Sequence, residues 1–184
     1  MKQEALWLLL SCIFIVTLLL ASCEPIAEKG EWAIQSTDIV SGLTVQDEAA
    51  IYARVIMQLA TVDNKLGEDL KPETIYIVSK KINLDPESTW GNISEILQRD
   101  ISNKLSDLSI EHVWIDFEDW LNYSKKSGGA VITLGDVSPQ AGESVQVWGS
   151  IYPANRAGGS VLYILGKVGV DYWDIIRTAG AGSS

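Results

Sequence analysis

The hydrophobic pattern changes period near residue 110, and this change constrains the fold more than any other feature. Before it, apolar residues recur at helical spacing in 44–61, where Thr44 can cap the first turn, and again in 93–108. After it, apolar and polar residues alternate in five segments punctuated by glycine and proline: 110–117, 130–137, 144–152, 160–168 and 171–178. The short apolar run 75–79 predicts one more strand, between the two helices.

The connections between the five alternating segments are too short for helical crossovers, so neighbouring segments are expected to pair antiparallel. The chain should therefore be α+β, with amphipathic helices packed on a mainly antiparallel sheet. This order of elements resembles the NTF2-like fold, as does the closing segment Tyr172-Trp173-Asp174-Ile175-Ile176. The resemblance implies a curved sheet. A generic two-layer α/β sandwich fits the same pattern.

Residues 1–23 have the features of an export signal. The uncharged apolar run 5–20 follows Lys2 and is too short to span a ~30 Å hydrocarbon core comfortably. The next residues, Leu20-Ala21-Ser22-Cys23, resemble the lipobox of bacterial lipoproteins. That resemblance implies a diacylglycerol on the Cys23 thiol and cleavage just before it, after two small residues. The alternative is an uncleaved signal anchor in which Cys23 is incidental.

The lipobox resemblance divides the chain into four parts. They are a signal peptide (1–22), the lipidated Cys23 with a tether (23–43), a single α+β domain (44–178) and a flexible tail of small residues (179–184). It also implies that the domain lies in the bacterial cell envelope, on the extracytoplasmic side of a membrane that holds it through the lipid. Both cysteines, Cys12 and Cys23, lie in the leader, which excludes a cysteine nucleophile or thiolate metal site in the domain.

Charge and residue content exclude several classes of function. A formal net charge of −10 argues against nucleic acid as a partner, because an acidic surface repels phosphate. His112 is the only histidine, which excludes multi-histidine metal sites and histidine-based triads, and no motif indicates a cofactor. The acidic run Asp116-Phe117-Glu118-Asp119 would place two carboxylates on one strand face, but a solvated rim is the simpler interpretation.

Two mixed strand faces are the candidates for a binding site. Alternation places on one face of segment 110–117 the side chains of His112, Trp114 and Asp116. It places on one face of segment 144–152 those of Gln146, Trp148 and Tyr152. If both faces line one concave surface, they form an aromatic pocket for a small apolar or glycan ligand. The alternative is that the tryptophans are packing residues and the polar side chains are solvated.

The sequence thus predicts a membrane-anchored envelope lipoprotein whose domain binds a ligand or an envelope protein without catalysis. Two other functions stay open. One is an NTF2-like enzyme that uses His112 and Asp116 as an acid–base pair. The other is a structural or assembly protein that pairs a sheet edge with another envelope protein.

Overall fold

The helices and strands belong to a computed structural model that describes residues 42–63, 72–82, 91–154, 157–169 and 172–183. Their order is α1 (Val45–Thr61), β1 (Thr74–Val78), α2 (Glu95–Lys104), β2 (Glu111–Ile115), α3 (Trp120–Tyr123), β3 (Gly129–Leu134), β4 (Ser138–Gln140), β5 (Ser144–Pro153), β6 (Gly159–Lys167) and β7 (Trp173–Ser183). A 3-10 turn, Phe117–Asp119, directly precedes α3. None of the helices in these ranges is long and apolar enough to cross a membrane. The leader, Cys23 and the tether up to residue 41 lie outside the described residues.

The strands form one sheet in the order β2-β1-β3-β5-β6-β7, and β4 pairs with β5. β1 is parallel to both β2 and β3, whereas β5, β6 and β7 extend the sheet by antiparallel pairing. The predicted α+β class, with helices on a mainly antiparallel sheet, is confirmed. The expectation that β2 and β3 pair with each other is wrong, because β1 lies between them and α2 forms the crossover from β1 to β2.

Local sequence signals explain where α1 begins and why it packs on the sheet. The Thr44 hydroxyl accepts a hydrogen bond from the Asp47 backbone N–H, and the Asp47 carboxylate accepts one from the Thr44 N–H, which completes a capping box. Val55 and Leu59 lie on the buried face. A Cβ added at Gly149 of β5 would come within 2.9 Å of both side chains, so the glycine allows α1 to approach the strand closely.

The sheet buries side chains on both of its faces. Ile77 of β1 and Ile151 of β5 belong to the main core, which the apolar faces of α1 and α2 complete. On the opposite face, a smaller cluster forms around Val78, Ile115 and Val131, and its partly buried neighbours include residues of α3. Neighbouring residues of β1 therefore contribute to different cores, as the alternation of a strand requires.

The C-terminal residues continue the sheet. β7 reaches Ser183, and Gly182 and Ser183 pair with Ser160 and Gly159 of β6. The segment predicted as a tail, 179–184, thus overlaps the end of β7. Small side chains suggested disorder, but strand pairing uses backbone groups, which those residues also provide.

Candidate ligand groove at the ends of the parallel strands

A groove of about 770 Å³ lies where β1 and β2 end and α2 begins. Its walls are the ends of the two strands, the first turn of α2, the 3-10 turn after β2, and Tyr123 of α3. Ligand sites commonly occur outside the carboxyl ends of parallel strands, because loops and helix starts converge there. The volume is in the range of small-molecule sites.

Backbone hydrogen bonds fix the shape of the groove. The Ile93 N–H donates to the Ser79 carbonyl at 2.8 Å, which ties the start of α2 to the end of β1. The Ser79 N–H donates to the Ile115 carbonyl at 2.9 Å, which ties β1 to β2. Ser94 caps α2 by accepting a hydrogen bond from the Leu97 N–H at 3.3 Å. The two strand ends and the helix start thus form one connected rim.

Carboxylates dominate the charge of the groove. The charged lining residues are four acids and one lysine: Glu95, Asp116, Glu118, Asp119 and Lys80. The Lys80 ammonium lies 5.4 Å from the centre of the Phe117 ring, and the Ser79 hydroxyl donates to Asp116 Oδ1 at 3.4 Å. A concave surface with this excess of carboxylates attracts cationic groups.

Three aromatic residues, Trp114, Phe117 and Tyr123, line the groove. The Trp114 ring is fixed against α2, because its Nε1–H donates to the Ser102 hydroxyl at 2.9 Å. Trp114 packs against the main core, whereas Phe117 and Tyr123 pack against the smaller cluster on the other face. The groove therefore lies at the end of the sheet, where residues from both faces meet.

The two mixed strand faces predicted from the sequence lie on opposite sides of the sheet. Trp114 packs with the helix-side core, and His112 shares its face of β2 by alternation. Tyr152 packs in the cluster on the other side, and Gln146 and Trp148 share its face of the regular strand β5. The prediction that both faces line one pocket is therefore wrong. Alternation within a strand does not reveal which of its faces meets the helices.

Only Trp114 and Asp116 of the predicted set line the groove. Asp116 follows the end of β2, and the four extended steps along the chain from His112 to Asp116 cover roughly 13 Å. The proposed His112–Asp116 acid–base pair is thus not assembled. Asp116 also begins the 3-10 turn, so the carboxylates of the acidic run do not share a strand face. Within the described ranges, no group of three or more His, Cys, Asp or Glu side chains could hold a metal ion.

The sequence interpretation missed a buried carboxylate that joins three elements. Asp47 Oδ1 accepts hydrogen bonds from Lys167 Nζ at 2.8 Å and Trp173 Nε1 at 3.0 Å, and Oδ2 accepts one from the Thr44 hydroxyl at 2.7 Å. Burial alone would raise the pKa of Asp47, but these hydrogen bonds outweigh it and hold that pKa well below its usual range. In the sequence, Asp47 is recognisable only as an acidic residue in the first turn of a helix, and no pattern indicates which residues further along the chain bind it.

A second buried charge pair joins α1 to the segment after β1. The Lys81 side chain is only 3% exposed, and its Nζ lies 3.1 Å from Glu48 Oε1 and 3.6 Å from Asp136 Oδ1. Nearby, the Tyr52 hydroxyl donates to the Gly135 carbonyl at 3.0 Å. None of these residues lines the groove. We therefore assign this cluster to the stability of the fold.

No family model, no curated protein and no solved structure matches the chain. The likeness to the NTF2-like fold therefore stays a prediction, and the α+β class rests on the topology described above.

Proposed function

We propose that the chain is a lipid-anchored protein of the bacterial cell envelope whose domain binds a ligand in the groove at the ends of β1 and β2. The main support for this proposal is the geometry of the groove. Aromatic rings and carboxylates converge on a cavity of about 770 Å³ at the carboxyl ends of two parallel strands. Backbone hydrogen bonds join the two strand ends and the start of α2, which form the rim of this cavity. With His112 and Asp116 apart, the arrangement favours binding over acid–base chemistry.

The proposed anchor rests on Leu20-Ala21-Ser22-Cys23. The full chain has a formal net charge of −10 and is not attracted to anionic lipid head groups, so surface charge cannot hold it at a membrane. Acyl chains can, because each buried methylene contributes about 0.8 kcal/mol. Lipidation of Cys23 would therefore keep the groove close to the membrane surface.

The first prediction concerns Cys23. In the native host, Cys23→Ser should abolish incorporation of labelled palmitate, because the thiol that accepts the diacylglycerol is gone. The variant should also keep its leader and run as a larger band on a gel. Cys12→Ser is the matched control, since it removes the other leader thiol and should label normally. Continued labelling of the Cys23→Ser chain would refute the anchor.

The second prediction concerns the groove. Native mass spectrometry of the full chain, released from host membranes in mild detergent, should show a bound species. Asp116→Lys should raise its dissociation constant roughly tenfold, as expected for a loss of about 1.4 kcal/mol of binding free energy, and so lower its occupancy. Asp107→Lys makes the same charge change at an exposed position that does not line the groove, and should leave occupancy unchanged. Equal occupancy in the two variants would place the ligand elsewhere.

A further inference from the structure

The outer edge of β2 presents unpaired backbone groups beside the groove. β2 ends the sheet, and no strand of the described chain pairs with its outer side. The Ile115 carbonyl accepts the Ser79 N–H, so Ile115 and, by alternation, Val113 direct their backbone groups toward β1. His112 and Trp114 therefore direct their N–H and C=O groups outward, where another strand could pair with them.

The outer edge of β2 lacks several structural features that commonly prevent another strand from pairing with a sheet edge. The β2 sequence Glu-His-Val-Trp-Ile contains no proline and no lysine, and its parallel register with β1 runs without a bulge. The hydrogen bond from Trp114 to Ser102 and the pairing with β1 hold the strand extended. A partner strand would meet a preorganised edge, which lowers the entropic cost of binding.

The charges near both ends of β2 indicate which kind of partner strand can bind its outer edge. Glu111 is exposed at the start of β2, and exposed Asp116, Glu118 and Asp119 follow its end, where the groove opens. A strand laid along β2 would pass carboxylates at both ends, over a length of roughly 16 Å. Basic side chains complement this edge, whereas acidic ones would be repelled.

We infer that the ligand of the groove is an extended, lysine- or arginine-rich segment of another protein, an inference that rests on the function proposed for the groove. The segment adds as a strand to the outer edge of β2 and places a cationic side chain in the groove. Backbone pairing supplies affinity, and the carboxylates of the groove supply selectivity.

His112→Pro tests the strand pairing directly. Proline removes the outward N–H of residue 112 and leaves intact the inward groups of Val113 and Ile115, which pair with β1; proline is tolerated at such edge positions. His112→Val, the matched control, removes the imidazole but keeps the donor. The probe is a fluorescein-labelled (Lys-Val)4 peptide, and fluorescence anisotropy measures its binding to the full chain in mild detergent.

We expect (Lys-Val)4 to bind His112→Pro about tenfold more weakly than the wild type, the effect of losing one backbone hydrogen bond with its desolvated partner. His112→Val should bind as the wild type does, and a (Glu-Val)4 peptide should not bind. If His112→Pro fails to fold, (Lys-Val)4 with N-methyl groups on alternate residues tests the same pairing from the ligand's side. One of the two alternating methylation patterns should weaken binding, and the other should be tolerated.

Equal affinity for the wild type, for His112→Pro and for both methylated peptides would overturn strand addition. The Asp116→Lys variant shows whether only the hypothesis of strand addition fails or the hypothesis of ligand binding in the groove fails as well. If Asp116→Lys weakens peptide binding but His112→Pro does not, the groove binds cations and only the strand addition is wrong. If no peptide binds while a small molecule still depends on Asp116, the inference fails and the proposed function stands. If nothing depends on Asp116, both fail.

Discussion

Glu48→Ala should lower the free energy of unfolding by about 3–5 kcal/mol, because it removes the nearer of the two carboxylates that face the buried Lys81 ammonium. The Lys81 side chain is 3% exposed, so bulk solvent does not hydrate its ammonium group. Asp136 is a poor substitute, since it lies 3.6 Å away and is 43% exposed. Urea unfolding of the full chain in mild detergent, followed by tryptophan fluorescence, measures the loss.

The double variant Glu48→Leu with Lys81→Met distinguishes the cost of weakened charge pairing at Lys81 from the cost of lost packing. It removes both charges and keeps most of the side-chain volume, so its stability should return to within about 1–2 kcal/mol of the wild type. Asp107→Ala, at an exposed position, should change stability by less than about 0.5 kcal/mol. A double variant as unstable as Glu48→Ala would show that packing, and not charge, accounts for the loss.

Asp47→Ala should cost about 2–3 kcal/mol, because four donors lose the carboxylate: the N–H and the hydroxyl of Thr44, the Lys167 ammonium and the Trp173 indole N–H. Trp173 is 4% exposed and its indole N–H would be left without Asp47, whereas the Lys167 ammonium is exposed enough to reach water. Asp47→Asn should cost less, since the amide oxygen can still accept one of the hydrogen bonds. Urea unfolding at pH 7 ranks the three proteins. Equal stability of the alanine variant and the wild type would refute this role of Asp47.

The same carboxylate predicts a pH dependence. The fold holds the pKa of Asp47 below its value in the unfolded chain, about 3.9 for aspartate. Its contribution is therefore present above about pH 4 and declines as the pH falls further. The stability gap between the wild type and Asp47→Asn should narrow below pH 4. The pKa of Asp174 is also lowered, by the Ile175 backbone N–H and by Arg54, but that contribution is present in both proteins. A constant gap down to pH 2 would contradict the prediction.

The parts of the fold that local signals determine were predictable from the sequence. Thr44 and the helical spacing after it located α1, predicted over 44–61 and observed at Val45–Thr61. Alternation located β5, predicted over 144–152 and observed at Ser144–Pro153. In both cases the residues that determine the element lie within it, so neighbouring parts of the chain were not needed to find it.

The arrangement of the strands was not predictable in this way. β1 lies between β2 and β3, and no pattern within these strands records which neighbour each one has. For the same reason, the sequence could not show whether the strand face with Trp114 and the strand face with Trp148 lie on the same side of the sheet. The sequence interpretation also missed a local signal for the turn after β2. Asp116 stands at its N-terminal cap, with Glu118 and Asp119 in its first turn, a placement typical of helix starts.

The contacts of α1 also determine when the domain can fold. Asp47 binds Lys167 and Trp173, Arg54 forms an ion pair with Asp174, and Asp63 accepts a hydrogen bond from Tyr163. These partners lie 100 to 126 residues further along the chain. During synthesis α1 is made well before the groups that hold it. For a chain that is exported as proposed here, this delay keeps the leader attached to an unfolded polypeptide while the residues between α1 and its partners are made.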